Sequence, residues 1–381
     1  MRKIGVITTS RADYSIYFPL LKALQAEGCK FSLYVTGMHF DRRFGQTVRL
    51  IEKDGFKIAA RVHCPMNTSP VGIASSMGAI TAGMARALER TRPEILFVLG
   101  DRYEMHAAAL AGVALGIPLA HLHGGELSYG SMDEFFRHSL TKLSHLHFVS
   151  TKEYALRVIQ MGEDPKRVFV CGAPGLDNAV SVPYISMAQL SERFGFDSNR
   201  PYILITFHPV TLELSKTSSY IQQLLKALKV GIDDQLIFTA PNADAKSDII
   251  RKAIKQFVKR EPKAFYVENF GTEAYVNAMR HAKAMVGNSS SGIIEAASFG
   301  LPVVNIGTRQ DGRLRSANVI DVGYGVDQIS KRIHQSLSVE FKKSLRGIKN
   351  IYGSGDAALK IVKVLKNIKP DQLGPKVFYN K

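Results

Sequence analysis

Residues 95–126 read ILFVLGDRYEMHAAALAGVALGIPLAHLHGGE. Ile95–Leu99 is an unbroken apolar run, Tyr103–Leu115 carries a helical pattern, and Leu119–Leu122 is apolar again. Near-continuous apolar strands alternating with helices mark strands buried on both faces, which means a parallel sheet covered by helices above and below. The apolar region Ala107–Leu122 contains Pro118 and His121, so it reads as a buried helix turning into a strand and not as a membrane span. Both strands run into polar residues: Gly100-Asp101-Arg102 after the first, and His123-Gly124-Gly125-Glu126 after the second. In open parallel sheets ligands bind beyond the carboxyl ends of the strands, so chemistry is expected at these positions.

The alternation extends outward in both directions. Ile4–Thr8, Phe31–Val35 and Leu146–Val149 are further strands of the first half, with helices over Tyr17–Ala26 and Ile73–Arg90. The pattern restarts after the loop Val182–Ser186, with strands at Tyr202–Thr206, Gln235–Thr239, Phe265–Val267, Ala284–Val286 and Val303–Ile306 and helices such as Tyr220–Val230 and Ala245–Arg260. A chain of 381 residues exceeds the usual size of a single core. The expected fold is therefore α/β with two Rossmann-like domains, residues 1–182 and 183–365, and a C-terminal extension, 366–381, packed on the first domain.

Lys and Arg outnumber Asp and Glu by 50 to 33, a formal charge of +17 that suits an anionic partner. No zinc-finger spacing, RNA-binding aromatic signature or long basic run accompanies it, so the nucleic-acid reading is weak and a well-solvated basic surface the better one; neither nucleic acid nor a membrane is expected as a partner. Cys29, Cys64 and Cys171 are few, odd in number and far apart, which suggests neither a disulfide framework nor a cysteine metal site and fits a reducing cytoplasm. Ile4–Ile7 is too short for the core of a signal peptide.

After the first strand, Thr8-Thr9-Ser10-Arg11-Ala12-Asp13-Tyr14-Ser15 lacks the glycines of a dinucleotide site. Local sequence favours a helix cap by Ser10 or Asp13 over a phosphate contact by Arg11 and Ser15. Asp101 and Arg102 offer a carboxylate for acid/base work and a guanidinium for a phosphate, and a salt bridge or cap would use the same residues. His121, His123, Glu126, Asp133, Glu134, Arg137 and His138 crowd ionisable groups beside two glycines, which packing alone explains poorly. Metal binding by His121 and His123 is the weaker reading, since no third ligand stands at a typical spacing. In the second half, His208 follows a strand. Gly287-Asn288-Ser289-Ser290-Ser291-Gly292 leads into a helix expected to begin near Ile293 with Glu295 on its first turn. N–H groups at a helix start and small hydroxyls suit an anion, and Arg309 and Arg313 add two guanidinium groups nearby.

Taken together, Ser10–Tyr14, Gly100–Arg102, His121–Glu126, Asp133-Glu134, His208–Thr211, Gly287–Gly292 and Gly307–Gln310 closely resemble the hydrolysing UDP-N-acetylglucosamine 2-epimerases of bacterial sialic-acid biosynthesis. The match is ordered and spans nearly the whole chain. It implies GT-B architecture with the substrate in the interdomain cleft and UDP held chiefly by the C-terminal domain. It also implies no metal, no cofactor and a homodimer or homotetramer. By the same resemblance, Arg11, Ser15 and Arg102 reach the diphosphate or sugar. Ser289 and Ser290, in the turn closed by Gly292, cradle the β-phosphate. Glu295 takes the ribose hydroxyls, Asn242, Arg309 and Arg313 contact the nucleotide, and His208 lies near the leaving group. Asp101 and Asp133 match catalytic carboxylates, with Glu134 beside them. At His123 the non-hydrolysing relatives carry Glu whereas some bacterial hydrolysing members carry His, so His123 and Glu126 are both candidates for one acid/base group.

The reaction implied is conversion of UDP-N-acetylglucosamine and water to N-acetylmannosamine and UDP, by elimination to 2-acetamidoglucal and hydration. The same reaction on UDP-N,N'-diacetylbacillosamine, as in legionaminic-acid synthesis, would leave the nucleotide site unchanged. A GT-B glycosyltransferase would leave C2 untouched, and a UDP-sugar sensor would need the phosphate cradle alone; the ionisable cluster after Leu122 argues against both.

Overall fold

The computed structural model describes residues 3–42, 45–65, 69–129, 132–241, 246–368 and 373–380. It divides into two compact units: Met1–Glu126, Met132–Asp177 and Tyr352–Lys381 form the first, and Leu127–Ser131 with Asn178–Ile351 the second.

The first unit holds a seven-stranded sheet of β1 (Lys3–Thr8), β2 (Lys30–Thr36), β3 (Ile58–Val62), β4 (Ile95–Leu99), β5 (Leu119–Leu122), β6 (Leu146–Val149) and β7 (Val168–Val170). Their order is β3-β2-β1-β4-β5-β6-β7, and every neighbouring pair is parallel. The strand order reverses between β1 and β4, the position at which such sheets bind ligands. β3 and β7 escape the sequence pattern because they are edge strands, only partly covered and without a continuous apolar run. Leu99 stands opposite Leu122, so the turns after β4 and β5 emerge side by side, and Gly100 N–H donates to Leu122 O at 2.8 Å. Helix Pro70–Thr91 is long and apolar enough to match a membrane span by length and composition, and it buries Ile80, Met84, Ala87 and Leu88 in the core of this unit.

The second unit repeats the plan with β8 (Tyr202–Thr206), β9 (Gln235–Thr239), β10 (Ala264–Val267), β11 (Ala284–Gly287), β12 (Val303–Ile306) and β13 (Val319–Val322) in the order β10-β9-β8-β11-β12-β13, again all parallel. Alternation along β8 sends Ile203 and Ile205 to one core layer and Tyr202 and Leu204 to the other.

The chain returns to the first unit at Tyr352, not after residue 365 as the sequence pattern suggested. Helix Ala357–Asn367 buries Ala357, Ala358, Ile361, Val362 and Leu365, a stripe at helical spacing that belongs to the first core. The Asp177 carboxylate anchors it by accepting the N–H groups of Ala357 (3.0 Å) and Ala358 (2.6 Å). The expected boundary at 182 accordingly falls at Asp177. Beyond the helix, Leu373 joins the same core and Tyr379 N–H donates to Gly162 O at 2.9 Å.

Candidate active site

The turns after β4 and β5 meet around one buried cation. Arg137 is 2% exposed and lies on the inner face of helix Asp133–Leu143, in line with Leu140 and Thr141. Its Nη2 is paired with Asp101 Oδ2, its Nη1 donates to His123 O at 3.1 Å, and Glu126 Oε2 is 4.0 Å from Nη1. Burial disfavours the guanidinium charge, but Asp101, Glu126, Glu134 and Asp133 outweigh it and raise the Arg137 pKa. The structure therefore brings Asp101, His123, Glu126, Asp133 and Glu134 together. The sequence named Arg137 within the crowd without a role. Its signal is the spacing Asp133–Arg137–Thr141, which puts a cation on a face that otherwise points inward.

Each side chain is fixed by its own surroundings. His121 donates from Nε2 to Gly100 O (2.9 Å), and its Nδ1 lies 3.2 Å from Thr141 Oγ1. Burial pushes its pKa down to about 3, so it is a neutral tether for the Gly100 turn. With both nitrogens engaged, it is not a partner for His123 in holding a metal. His123 adopts a left-handed backbone, φ 63°, and its Nδ1–H donates to Glu126 Oε1 at 2.6 Å. Gly125, φ 75°, closes this turn where a Cβ would stand 2.4 Å from Tyr154 O. Asp133 and Glu134 open their helix half-buried, and Glu134 Oε1 accepts from His138 Nε2 at 2.9 Å.

Around β1 the capping alternative prevails for Ser10 and Asp13. Asp13 accepts the N–H of Thr9 (2.7 Å), Ser10 (2.7 Å) and Tyr14 (3.0 Å) and the hydroxyls of Thr9 and Ser10, closing a capping box. Arg11 is exposed at the first helical position, with Ser15 half-buried one turn on. Arg102 forms a two-pronged pair with fully buried Glu104, Nε to Oε2 at 3.1 Å and Nη2 to Oε1 at 2.9 Å. That carboxylate, a partner the sequence did not reveal, fixes the direction of the guanidinium.

In the second unit, β11 ends at Gly287, φ 139°, where a Cβ would lie 1.9 Å from Thr206 O on β8. Asn288 then ties two loops together: its Oδ1 accepts His208 N–H at 2.7 Å, its Nδ2 donates to His208 O at 2.9 Å, and its carbonyl accepts Arg309 Nη1 (3.2 Å) and Gln310 Nε2 (2.9 Å). Ser289 is the N-cap of a helix that runs Ser290–Ile294, earlier than expected. Glu295 is therefore its C-cap and not a first-turn residue. Five residues make little more than one turn, so an anion here would meet N–H groups and hydroxyls rather than the field of a long helix. Gly292 serves close packing, since a Cβ would stand 2.9 Å from Val303 Cγ1. His208 is buried, and burial, joined by Arg309, holds its pKa well below the ordinary imidazole range. It offers a hydrogen-bond dipole and no positive charge. Arg313 is half-buried after the same strand as Arg309, and Asn242 lies outside the described residues.

Two parallel-sheet α/β units, one with an acid/base cluster at its strand ends and the other with a serine-glycine turn flanked by arginines, define an enzyme of Rossmann-like build. The family profile of UDP-N-acetylglucosamine 2-epimerase matches residues 22–366. The chain belongs to this family, as an enzyme of the hydrolysing UDP-sugar 2-epimerases. It is 37% identical to the UDP-N,N'-diacetylbacillosamine 2-epimerase (hydrolyzing) of Legionella pneumophila, over 97% of this chain and 96% of that one. It is 38% identical to the polysialic acid biosynthesis protein P7 of Escherichia coli, over 100% of this chain and 98% of the relative. The fold is shared with the crystal structure of UDP-GlcNAc 2-epimerase from Neisseria meningitidis bound to UDP-GlcNAc, with a TM-score of 0.83, 20% identity, and coverage of 96% of this chain and 100% of that one.

Proposed function

We propose that the protein converts UDP-N-acetylglucosamine and water to N-acetylmannosamine and UDP. The observation that carries this reading is the convergence of four carboxylates and His123 on Arg137 at the ends of β4 and β5. Transfer of a sugar without change at C2 has no use for so many acid/base groups, whereas inversion at C2 needs at least two, on opposite sides of the ring. Family membership supplies the nucleotide sugar.

The C2 proton is weakly acidic, so departure of UDP leads and builds oxocarbenium character at C1 while a carboxylate, Asp101 or Asp133, removes H2. The pair left by that proton forms the C1=C2 bond of 2-acetamidoglucal. Water then adds at C1 and a proton is delivered to C2 from the other face. Charge developing on UDP is met by the Ser289-Ser290 turn, by Arg309, and by a hydrogen bond from neutral His208.

A second reading is favoured by the name of the Legionella relative: the same reaction on UDP-N,N'-diacetylbacillosamine. Incubation with each sugar in D2O, followed by NMR, tests both. Release of UDP with C2-deuterated N-acetylmannosamine is the expected result. Turnover of the diacetamido sugar alone selects the second reading, and recovery of UDP-N-acetylmannosamine would mark a non-hydrolysing enzyme.

A further inference from the structure

We infer that His123 and Glu126 are one functional unit, in which Glu126 orients the imidazole and Nε2 of His123 returns the proton to C2 in the hydration half of the reaction. This rests on the C2-inverting reading above and deepens it, because the sequence left the two residues as alternatives for a single role.

The geometry separates their tasks. Nδ1 of His123 donates to Glu126 Oε1 at 2.6 Å, so the carboxylate fixes the ring's orientation and its tautomer. Ser150 Oγ donates to the same oxygen at 3.2 Å, and Arg137 stands 4.0 Å from the other, so Glu126 is itself held from two further elements. Glu126 is 1% exposed and its contacts are spent on neighbours, which makes it a positioning group. His123 Nε2, by contrast, is buried and has no hydrogen-bond partner among the described residues. A buried polar atom in that condition is destabilising, a cost met at sites where a reacting group supplies the missing contact. The backbone supports the same conclusion. His123 takes a left-handed conformation immediately after β5, locked by its N–H to Phe148 O at 3.1 Å and by Arg137 on its carbonyl. That turn is what returns Glu126 to Nδ1, three residues on.

The proton balance is simple. The His123 ring enters hydration carrying a proton on each nitrogen, its Nδ1–H held by Glu126. Between the half-reactions the carboxylate that took H2 releases that proton to solvent; Nε2–H is then given to C2, the C1=C2 pair forms the new C2–H bond, and water closes on C1 with loss of its proton to the same, again ionised, carboxylate. The imidazole is left neutral and regains a proton from solvent before the next turnover. This is the logic by which a carboxylate holds and supports a catalytic imidazole elsewhere.

The test supplies 2-acetamidoglucal and UDP to the intact enzyme and follows formation of N-acetylmannosamine, with UDP affinity and the unfolding midpoint measured alongside. His123→Gln is expected to slow hydration roughly 10²-fold and Glu126→Gln about tenfold or more, in the rate at saturation and not in KM. In the His123→Gln background Glu126→Gln is expected to add less than about twofold, since a positioning group has nothing left to position. Full hydration rates in either single variant, or an undiminished Glu126→Gln effect in the double variant, overturn the proposal. Should the unaltered protein neither release UDP from the two sugars nor hydrate the glucal, it is the C2-inverting reading that fails.

Discussion

At the residue scale, the site is organised by a cation that takes no obvious part in the chemistry. Arg137 is surrounded by carboxylates that would otherwise repel one another, and removing it leaves Asp101 and the His123 carbonyl without their partner. Arg137→Met is expected to destabilise the protein by about 3–5 kcal/mol, the range for breaking a buried ion pair, read as a shift in the urea midpoint. A loss below about 1 kcal/mol would mean that the cluster is held by other contacts. Asp101→Asn and Asp133→Asn remove charge with little change of shape. Both are expected to lower turnover far more than UDP affinity, measured by steady-state rates against UDP titration calorimetry; near-normal rates in both would remove these residues from the mechanism.

The elements show why the side chains sit where they do. Apart from His121, within β5 itself, every group singled out in the first unit follows β1, β4 or β5 or lies on the helix after β5, and every one described in the second follows β8, β11 or β12. A Cβ at Gly287 would meet the β8 backbone, so Gly287→Ala places a methyl group against Thr206 O and should cost about 1–3 kcal/mol along with UDP affinity. Unchanged stability in a thermal melt would show that β11 can slide. His121 ties β5 to the β4 turn as a neutral imidazole with a pKa of about 3, against about 6.5 in the unfolded chain. Between those values the unfolded state binds a proton that the folded state refuses, so stability from this residue is complete above pH 6.5 and falls as pH drops, by about 1.4 kcal/mol per unit. His121→Gln should flatten the dependence of the urea midpoint between pH 7.5 and 5.0. An identical slope in both proteins would sink the assignment.

For the molecule as a whole, the chain's return to its first unit matters more than its length suggests. Helix Ala357–Asn367 completes the first core, and Ile361→Ala, at a fully buried position, is expected to cost about 2–5 kcal/mol although it lies far along the chain from every catalytic candidate. Loss of less than about 0.5 kcal/mol would show the helix to be an appendage. The sequence by itself determined the fold class, because central parallel strands are covered on both faces and so read as apolar runs. It also located the polar ends of those strands, since loops must carry what the sheet cannot. The short runs at the sheet edges, β3, β7 and β13, were illegible for the converse reason: half-covered strands need no apolar continuity. What only the tertiary structure decided was partnership. Local sequence cannot say that Arg137 reaches Asp101 across 36 residues, that Glu104 holds Arg102, or that the last helix packs against helix Arg11–Ala26. Nor could it say that His123 and Glu126 touch. A backbone turned left-handed at His123 set the two side by side and joined them by a hydrogen bond 2.6 Å long.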